Sequence, residues 1–173
     1  MDLTRTLNGA AAGALAAGVW AAQQPLDKRV FGTSYDDVEL LGKLATRDAA
    51  AWPLAGAGMH LLNGAVFGAA YAQLRPFLPG PPVARAITLG LAEHLALWPL
   101  GRLADRHHPA RKELEPLSGN RRAFAQATWR HLVFGAVLGV VEERLNRRRH
   151  EEPPPVPVSS NGHGNIEAAV TAA

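Results

Sequence analysis

A chain of 173 residues is long enough for one domain with a buried core, and this length favours one domain over two. Its 18 Lys and Arg against 15 Asp and Glu leave a formal net charge of only +3, which gives little support to nucleic-acid binding. The chain contains no cysteine, so disulfides, thiolate metal sites and a cysteine nucleophile are excluded.

Four stretches of the chain are apolar, nearly free of charge and close in length to a membrane span: 7–22, 54–74, 83–100 and 123–141. A spanning helix needs roughly 20 apolar residues, with about 17 to 25 tolerated. We therefore predict an all-α fold, a four-transmembrane-helix bundle over residues 1–149, with helices at about 4–22, 54–75, 83–103 and 121–145. The first stretch is expected to be a retained helix, because no cluster of positive charge precedes it as in a signal peptide.

The connection between the first two helices predicts a short additional helix. Ser34 and Asp37 resemble a capping box, and the apolar residues that follow them suit an amphipathic helix at about 35–46 on the membrane surface. Ser118 or Asn120 can cap the fourth long helix.

One proline-rich segment lies between the second and third predicted helices, and another follows the fourth. The proline-rich segment 79–82 predicts a tight turn that makes the second and third helices antiparallel neighbours. The segment 150–173 is rich in Pro, Ser, Gly and Ala, and it predicts a disordered tail.

A histidine and glycine pattern repeats along the predicted helices. His60, Gly64 and Gly68 in the second helix share the spacing of the fourth, and the third carries the pattern in reverse, which suggests a tandem repeat of helical hairpins. Glycines four residues apart let two helix backbones approach closely in lipid. The residues predicted to pack the helices in this way are Gly9, Gly13, Gly64, Gly68, Gly90, Gly135 and Gly139.

The same alignment places a polar layer at a common depth inside the predicted bundle. Its members are His60, Asn63, Glu93, His94, Arg130 and His131. We predict that Glu93 and Arg130 form an ion pair, because pairing reduces the cost of burying either charge in lipid. In the predicted topology the four tryptophans lie toward the same side of the membrane, and they indicate an interfacial belt on that side.

Three interpretations of the polar layer remain open at the level of sequence. The histidines could lock the helices together through interhelical hydrogen bonds. As neutral imidazoles, His60, His94 and His131 could instead hold a divalent metal or a haem. The sequence contains no short ligand motif that would require such a cofactor. A third interpretation is proton or small-ion handling, because histidine titrates near neutral pH.

Five motifs occur in a characteristic order along the chain: Gln24 to Asp27, Tyr35 to Gly42, His60-x3-Gly-x3-Gly-x2-Tyr71, Glu93-His94-x3-Trp98-Pro99 and Trp129-Arg130-His131-x3-Gly. With these motifs the chain resembles a group of uncharacterised small bacterial membrane proteins over residues 4–145. Its glycine-rich four-helix plan is more remotely similar to the YagU family of inner-membrane proteins. The resemblance implies a membrane location and names no reaction.

Together these patterns predict a multi-pass protein of the bacterial inner membrane, with the lipid bilayer and a second copy of the chain as its partners. No P-loop, nucleophile elbow or phosphate-binding glycine loop occurs, so we expect no enzymatic activity. The alternative fold is a soluble four-helix bundle that acts in protein interactions, for which wide polar helix faces would be expected.

Overall fold

The computed structural model describes residues 2–150, with side chains described as far as Arg147, so the predicted tail lies almost wholly outside the described part. The described residues form no strand, which confirms the all-α prediction for them. Single 3-10 turns occupy Arg75–Phe77 and Trp98–Leu100. The α-helices are α1 Leu3–Phe31, α2 Asp37–Ala45, α3 Trp52–Leu74, α4 Pro82–Leu97, α5 Gly101–His107 and α6 Arg121–His150.

Helix α1 continues well past the end predicted for it at residue 22. It runs through Pro25 and stops at Gly32, whose φ of 61° is the left-handed conformation that glycine adopts at helix C-termini. An interior proline costs a helix about 3 kcal/mol. The extra turns bring Asp27 into the protein interior, where it is 3% exposed and fully paired, and this pairing offsets the cost of Pro25.

The predicted third helix, 83–103, is divided in the structure. Helix α4 ends at Leu97, a 3-10 turn contains Pro99, and α5 begins at Gly101. Proline lacks an amide hydrogen, so Pro99 cannot donate to the carbonyl four residues earlier, and the regular α-helical hydrogen-bond pattern is interrupted there. The break leaves α4 with 16 residues.

The caps of α2 and α6 are formed by single residues. Asp36, and not Ser34, caps α2 by accepting a hydrogen bond of 3.0 Å from the Glu39 amide. The hydroxyl of Ser34 donates instead to Glu115. The prediction for α6 is confirmed, because the Asn120 side chain accepts from the Ala123 amide at 3.0 Å.

Asp36 makes the stability of this region sensitive to acid. Burial alone would raise the pKa of Asp36, but hydrogen bonds from Lys28 and from the Glu39 amide lower it below its ordinary value of 3.8. A lowered pKa means that Asp36 stabilises the fold fully above its unfolded-state value and loses that contribution as the pH falls below about 4.

We expect Asp36→Ala to cost about 1–2 kcal/mol at neutral pH, because it removes both the cap and the pair with Lys28. Asp36→Asn keeps an efficient cap but no charge, so it should cost less and flatten the loss of stability in acid. Unfolding followed by circular dichroism from pH 7 to pH 3 measures both effects. If the two variants lose stability equally and both keep the wild-type acid sensitivity, Asp36 has neither role.

The four long helices pack side by side in the order α3, α1, α6, α4. Glycines make the closest approaches: a Cβ atom on Gly64 would lie 2.6 Å from the Gly13 carbonyl oxygen, and one on Gly135 would lie 2.6 Å from the Ile87 Cα atom. In the same way, Gly9 packs against Gly68, and Gly139 packs against α4. Gly90 differs from the other six, because a Cβ there would meet only the His131 carbonyl at 3.5 Å.

Large apolar side chains lie mainly on the outside of this assembly. Leu54 is 80% exposed, Leu62 62% and Phe77 82%, whereas the interior contains alanine, glycine and buried polar groups. Buried polar or charged side chains include Asp27, His94, Gln126, Arg130 and Glu142. The described residues therefore combine exposed large apolar side chains with several buried polar and charged groups.

One described helix segment, Arg121–Arg147 of α6, is long and apolar enough by composition to cross a membrane. The other three long helices fall short for identifiable reasons. Alanine and glycine contribute little hydropathy to α1 and α3, α3 also contains His60 and Asn63, and α4 is short.

Candidate functional site

A cavity of about 450 Å³ lies in the gap between α3 and α4, the two outer helices of the row. Its volume is within the range of small-molecule sites, about 300–1,000 Å³. The wall combines aromatic side chains, including Trp20, Phe67 and Phe134, with titratable groups. Helices α2 and α5 close one end through Leu41 and Ala104. The predicted polar layer contributes His60, Asn63, Glu93, His94 and His131 to this wall.

Glu93 pairs with His131, and the predicted pair of Glu93 with Arg130 is wrong. The Glu93 carboxylate lies 3.2 Å from His131 Nε2, across the contact between α4 and α6. The other ring nitrogen, Nδ1, lies 2.7 Å from the Ala127 carbonyl oxygen, which can only accept a hydrogen bond. His131 Nδ1 therefore carries a proton.

The contact between Glu93 and His131 places a carboxylate at ion-pair distance from an imidazole. Because Nδ1 already donates to the Ala127 carbonyl, a proton on Nε2 would make His131 the cation of this pair. The Glu93 side chain is 40% exposed and lines the cavity.

His94 lies directly against this pair. Its ring centroid is 4.6 Å from that of His131, with the ring planes 31° apart. Thr128 uses its hydroxyl proton on the Phe124 carbonyl, so His94 donates from Nε2 to the Thr128 oxygen at 3.0 Å. This assignment leaves a lone pair on His94 Nδ1.

His60 lies on the opposite wall, separated from His131 by the indole of Trp20. The Trp20 ring centroid is 5.3 Å from that of His60 and 4.6 Å from that of His131. The Nε2 atom of His60 is buried and has no hydrogen-bond partner among the described residues.

Arg130 belongs to a second cluster behind the cavity wall, and it is fully buried. Its Nε donates to Asp27 at 2.6 Å and its Nη2 to the same carboxylate at 2.7 Å, while Nη1 donates to Asp37 at 2.7 Å. Gln126 also donates to Asp27, and Trp20 donates to Asp37 at 3.0 Å. This network joins α1, α2 and α6 and fixes the indole that separates His60 from His131.

The tryptophans do not form a simple interfacial belt. Trp20 is a buried core residue, and Trp98 is half-buried against His94. Trp129 exposes 45% of its surface while donating a hydrogen bond to Gln23. Trp20 departs from the prediction because its indole N–H has a buried acceptor, the Asp37 carboxylate.

An apolar layer borders the cavity along the helices, and Phe134 belongs to both. Tyr71, Phe134 and Leu138 are buried there, Tyr71 and Leu138 completely. Past this layer Glu142, also fully buried, pairs with Arg75 and accepts a hydrogen bond from Asn146. The layer therefore separates the Glu93 and His131 pair from the polar groups at the other end of α6.

The part of the chain that the structure describes contains no preformed metal site. No three side chains of His, Asp or Glu converge there closely enough to hold an ion. His94 and His131 stack ring on ring, and Trp20 lies between His131 and His60, so the three predicted ligands do not point at one centre.

Comparison with known proteins adds no family to these observations. No protein-family model, no curated protein and no solved structure matches the chain.

Proposed function

We propose that the chain is a multi-pass membrane protein that handles protons and a small solute in the cavity between α3 and α4. The apolar surface of α1, α3, α4 and α6 supports the membrane location, because lipid replaces the water that such a surface would avoid. Close glycine contacts between antiparallel helices are the packing expected where no hydrophobic effect drives association.

Extraction of isolated membranes with alkaline carbonate tests the location. We expect the chain to stay with the lipid at high pH and to require detergent for release. Release by carbonate, or a monodisperse protein in detergent-free buffer, would instead support a soluble helical protein that uses its apolar faces for protein interactions.

One observation carries the proposal of proton handling: the contact of Glu93 with His131, whose other nitrogen is committed to a backbone carbonyl. Ionisable groups at membrane depth are costly and typically mark sites of function. Here a carboxylate and an imidazole that can share a proton line a cavity, with His94, His60 and Asp37 as other titratable groups around them. The apolar layer of Tyr71, Phe134 and Leu138 lies between the pair of Glu93 and His131 and the polar groups at the other end of α6.

Purified protein in vesicles provides the functional test. We expect an imposed pH gradient to dissipate faster than in protein-free vesicles, and Glu93→Gln to remove most of this difference because an amide cannot take up the proton. Glu113→Gln is the matched control, since Glu113 pairs with Lys43 on the exposed connection and does not line the cavity. Equal rates for wild type and Glu93→Gln would favour a purely structural role for the polar layer.

The same preparation tests the alternative of a haem or metal site. An absorption band in the visible range, or bound metal at about one ion per chain, would support that alternative. A colourless, metal-free protein that keeps its helical signal contradicts it.

A further inference from the structure

The charges of the cavity wall restrict what the cavity can bind. Its titratable lining comprises two carboxylates, Asp37 and Glu93, together with His60, His94 and His131 and the phenol of Tyr35. No lysine or arginine is among the described residues that line it. An anion would therefore meet carboxylates without a permanent positive charge, whereas a cation finds an acceptor in Glu93.

The apolar part of the wall fits a ring or a short hydrocarbon. Trp20, Phe67 and Phe134 meet edge to face, with Trp20 and Phe134 centroids 6.1 Å apart and Phe67 and Phe134 centroids 5.3 Å apart. Aromatic faces attract both apolar groups and organic cations. The unpartnered His60 Nε2, in the wall beside Trp20, can hydrogen-bond a polar group of a ligand, as donor or acceptor according to its tautomer.

From these features we propose that the cavity binds a small organic ammonium ion with an apolar body, and that this binding is coupled to the release of a proton from the pair of Glu93 and His131. This inference rests on the proposed function and names its solute. The ammonium group donates to Glu93 and takes the place of the His131 imidazolium as its counter-ion. The apolar body lies among Trp20, Phe67 and Phe134.

The exchange is balanced in charge and in protons. An ammonium ion enters, the N–H bond at His131 Nε2 breaks, and its proton leaves to the solvent while the ammonium keeps its own. The site holds one positive charge before and after the exchange. Asp37 does not compete for the ligand, because Arg130 and Trp20 already donate to it.

Calorimetry of the full-length protein in detergent tests this proposal with 2-phenylethylamine as the probe. Its neutral analogue 2-phenylethanol and the anion 3-phenylpropanoate serve as comparison ligands of similar shape. We expect the amine to bind at least about tenfold more tightly than the alcohol, since a charge-assisted hydrogen bond is worth more than a neutral one. Titrations in buffers of different ionisation enthalpy should show release of about one proton per amine bound.

Two variants separate the acceptor from the proton donor. Glu93→Gln should remove both the preference for the amine and the proton release, whereas His131→Asn should keep the preference and lose only the release. Glu113→Gln should behave as wild type. Circular dichroism of each variant establishes that the helices are intact.

The outcomes distinguish this inference from the proposed function. Equal binding of amine and alcohol by wild type, or proton release that persists in His131→Asn, overturns the inference. If Glu93-dependent proton flux is present in vesicles while the amine does not bind, the proposed function stands and the solute class is wrong.

Discussion

Replacing Arg130 with methionine is expected to destabilise the protein by about 3–5 kcal/mol, the range found when one partner of a buried ion pair is removed. Methionine has similar length and no charge, so the variant leaves Asp27 and Asp37 without their shared cation. Arg130 is fully buried, and its donors to both carboxylates lie within 2.7 Å of them. The penalty therefore comes from desolvated carboxylates that have lost their counter-ion, not from lost packing.

Denaturant titration in detergent, followed by circular dichroism, measures this loss. Arg122→Met is the matched control on the same helix, because Arg122 makes only an exposed contact of 3.4 Å with the Gly32 carbonyl. It should change stability by no more than about 0.5 kcal/mol. Adding Asp27→Asn to Arg130→Met should recover part of the loss, since it removes a buried charge. Equal stabilities of Arg130→Met and Arg122→Met would contradict the role given to the Asp27 network.

The sequence predicts Glu93 as the partner of Arg130 because both fall at one depth, but depth along a helix does not determine which face a side chain occupies. Adjacent residues on a helix point about 100° apart, so Arg130 and His131 face different neighbours. His131 faces α4 and Glu93, whereas Arg130 faces α1 and Asp27. Asp27 lies beyond the predicted end of the first helix, so its partnership could not be inferred.

The common depth of the histidines is predicted from their spacing together with the antiparallel topology of the helices. In the structure His60, His94 and His131 line one cavity. The spacing of the histidines does not predict that the Trp20 indole lies between His60 and His131. Trp20 lies there because Asp37, which follows in the chain after a loop, accepts its N–H. Such contacts depend on how α2 folds back, which local sequence does not specify.

The sequence contains the signal for the break at Pro99. A run of apolar residues continues from α4 to Leu103, and hydropathy alone extends the helix through it. Pro99 instead follows the end of α4, and Ala104 of the separate helix α5 contributes to the cavity wall. Local chain chemistry here determines the shape of the site.

Glycine substitutions should change stability in opposite directions depending on what faces each glycine. Gly64→Ala is expected to destabilise the protein by about 1–3 kcal/mol, because the added Cβ would lie 2.5 Å from Ala17 Cβ and 2.6 Å from the Gly13 carbonyl oxygen. Helices α1 and α3 would have to separate, since backbone atoms cannot yield as a flexible side chain can. Gly135→Ala should act similarly between α4 and α6, where the Cβ would lie 2.6 Å from Ile87 Cα.

Gly58 in α3 and Gly90 in α4 provide control positions. A Cβ at Gly58 would meet nothing within 4 Å, so Gly58→Ala should stabilise by up to about 1 kcal/mol through the better helix propensity of alanine. Gly90→Ala should be close to neutral, because 3.5 Å from the His131 carbonyl is ordinary contact. Thermal unfolding of the four variants under identical conditions gives the order. If Gly64→Ala is as stable as Gly58→Ala, α1 and α3 do not pack through their glycines, and the cavity wall that α3 provides would have to be placed differently.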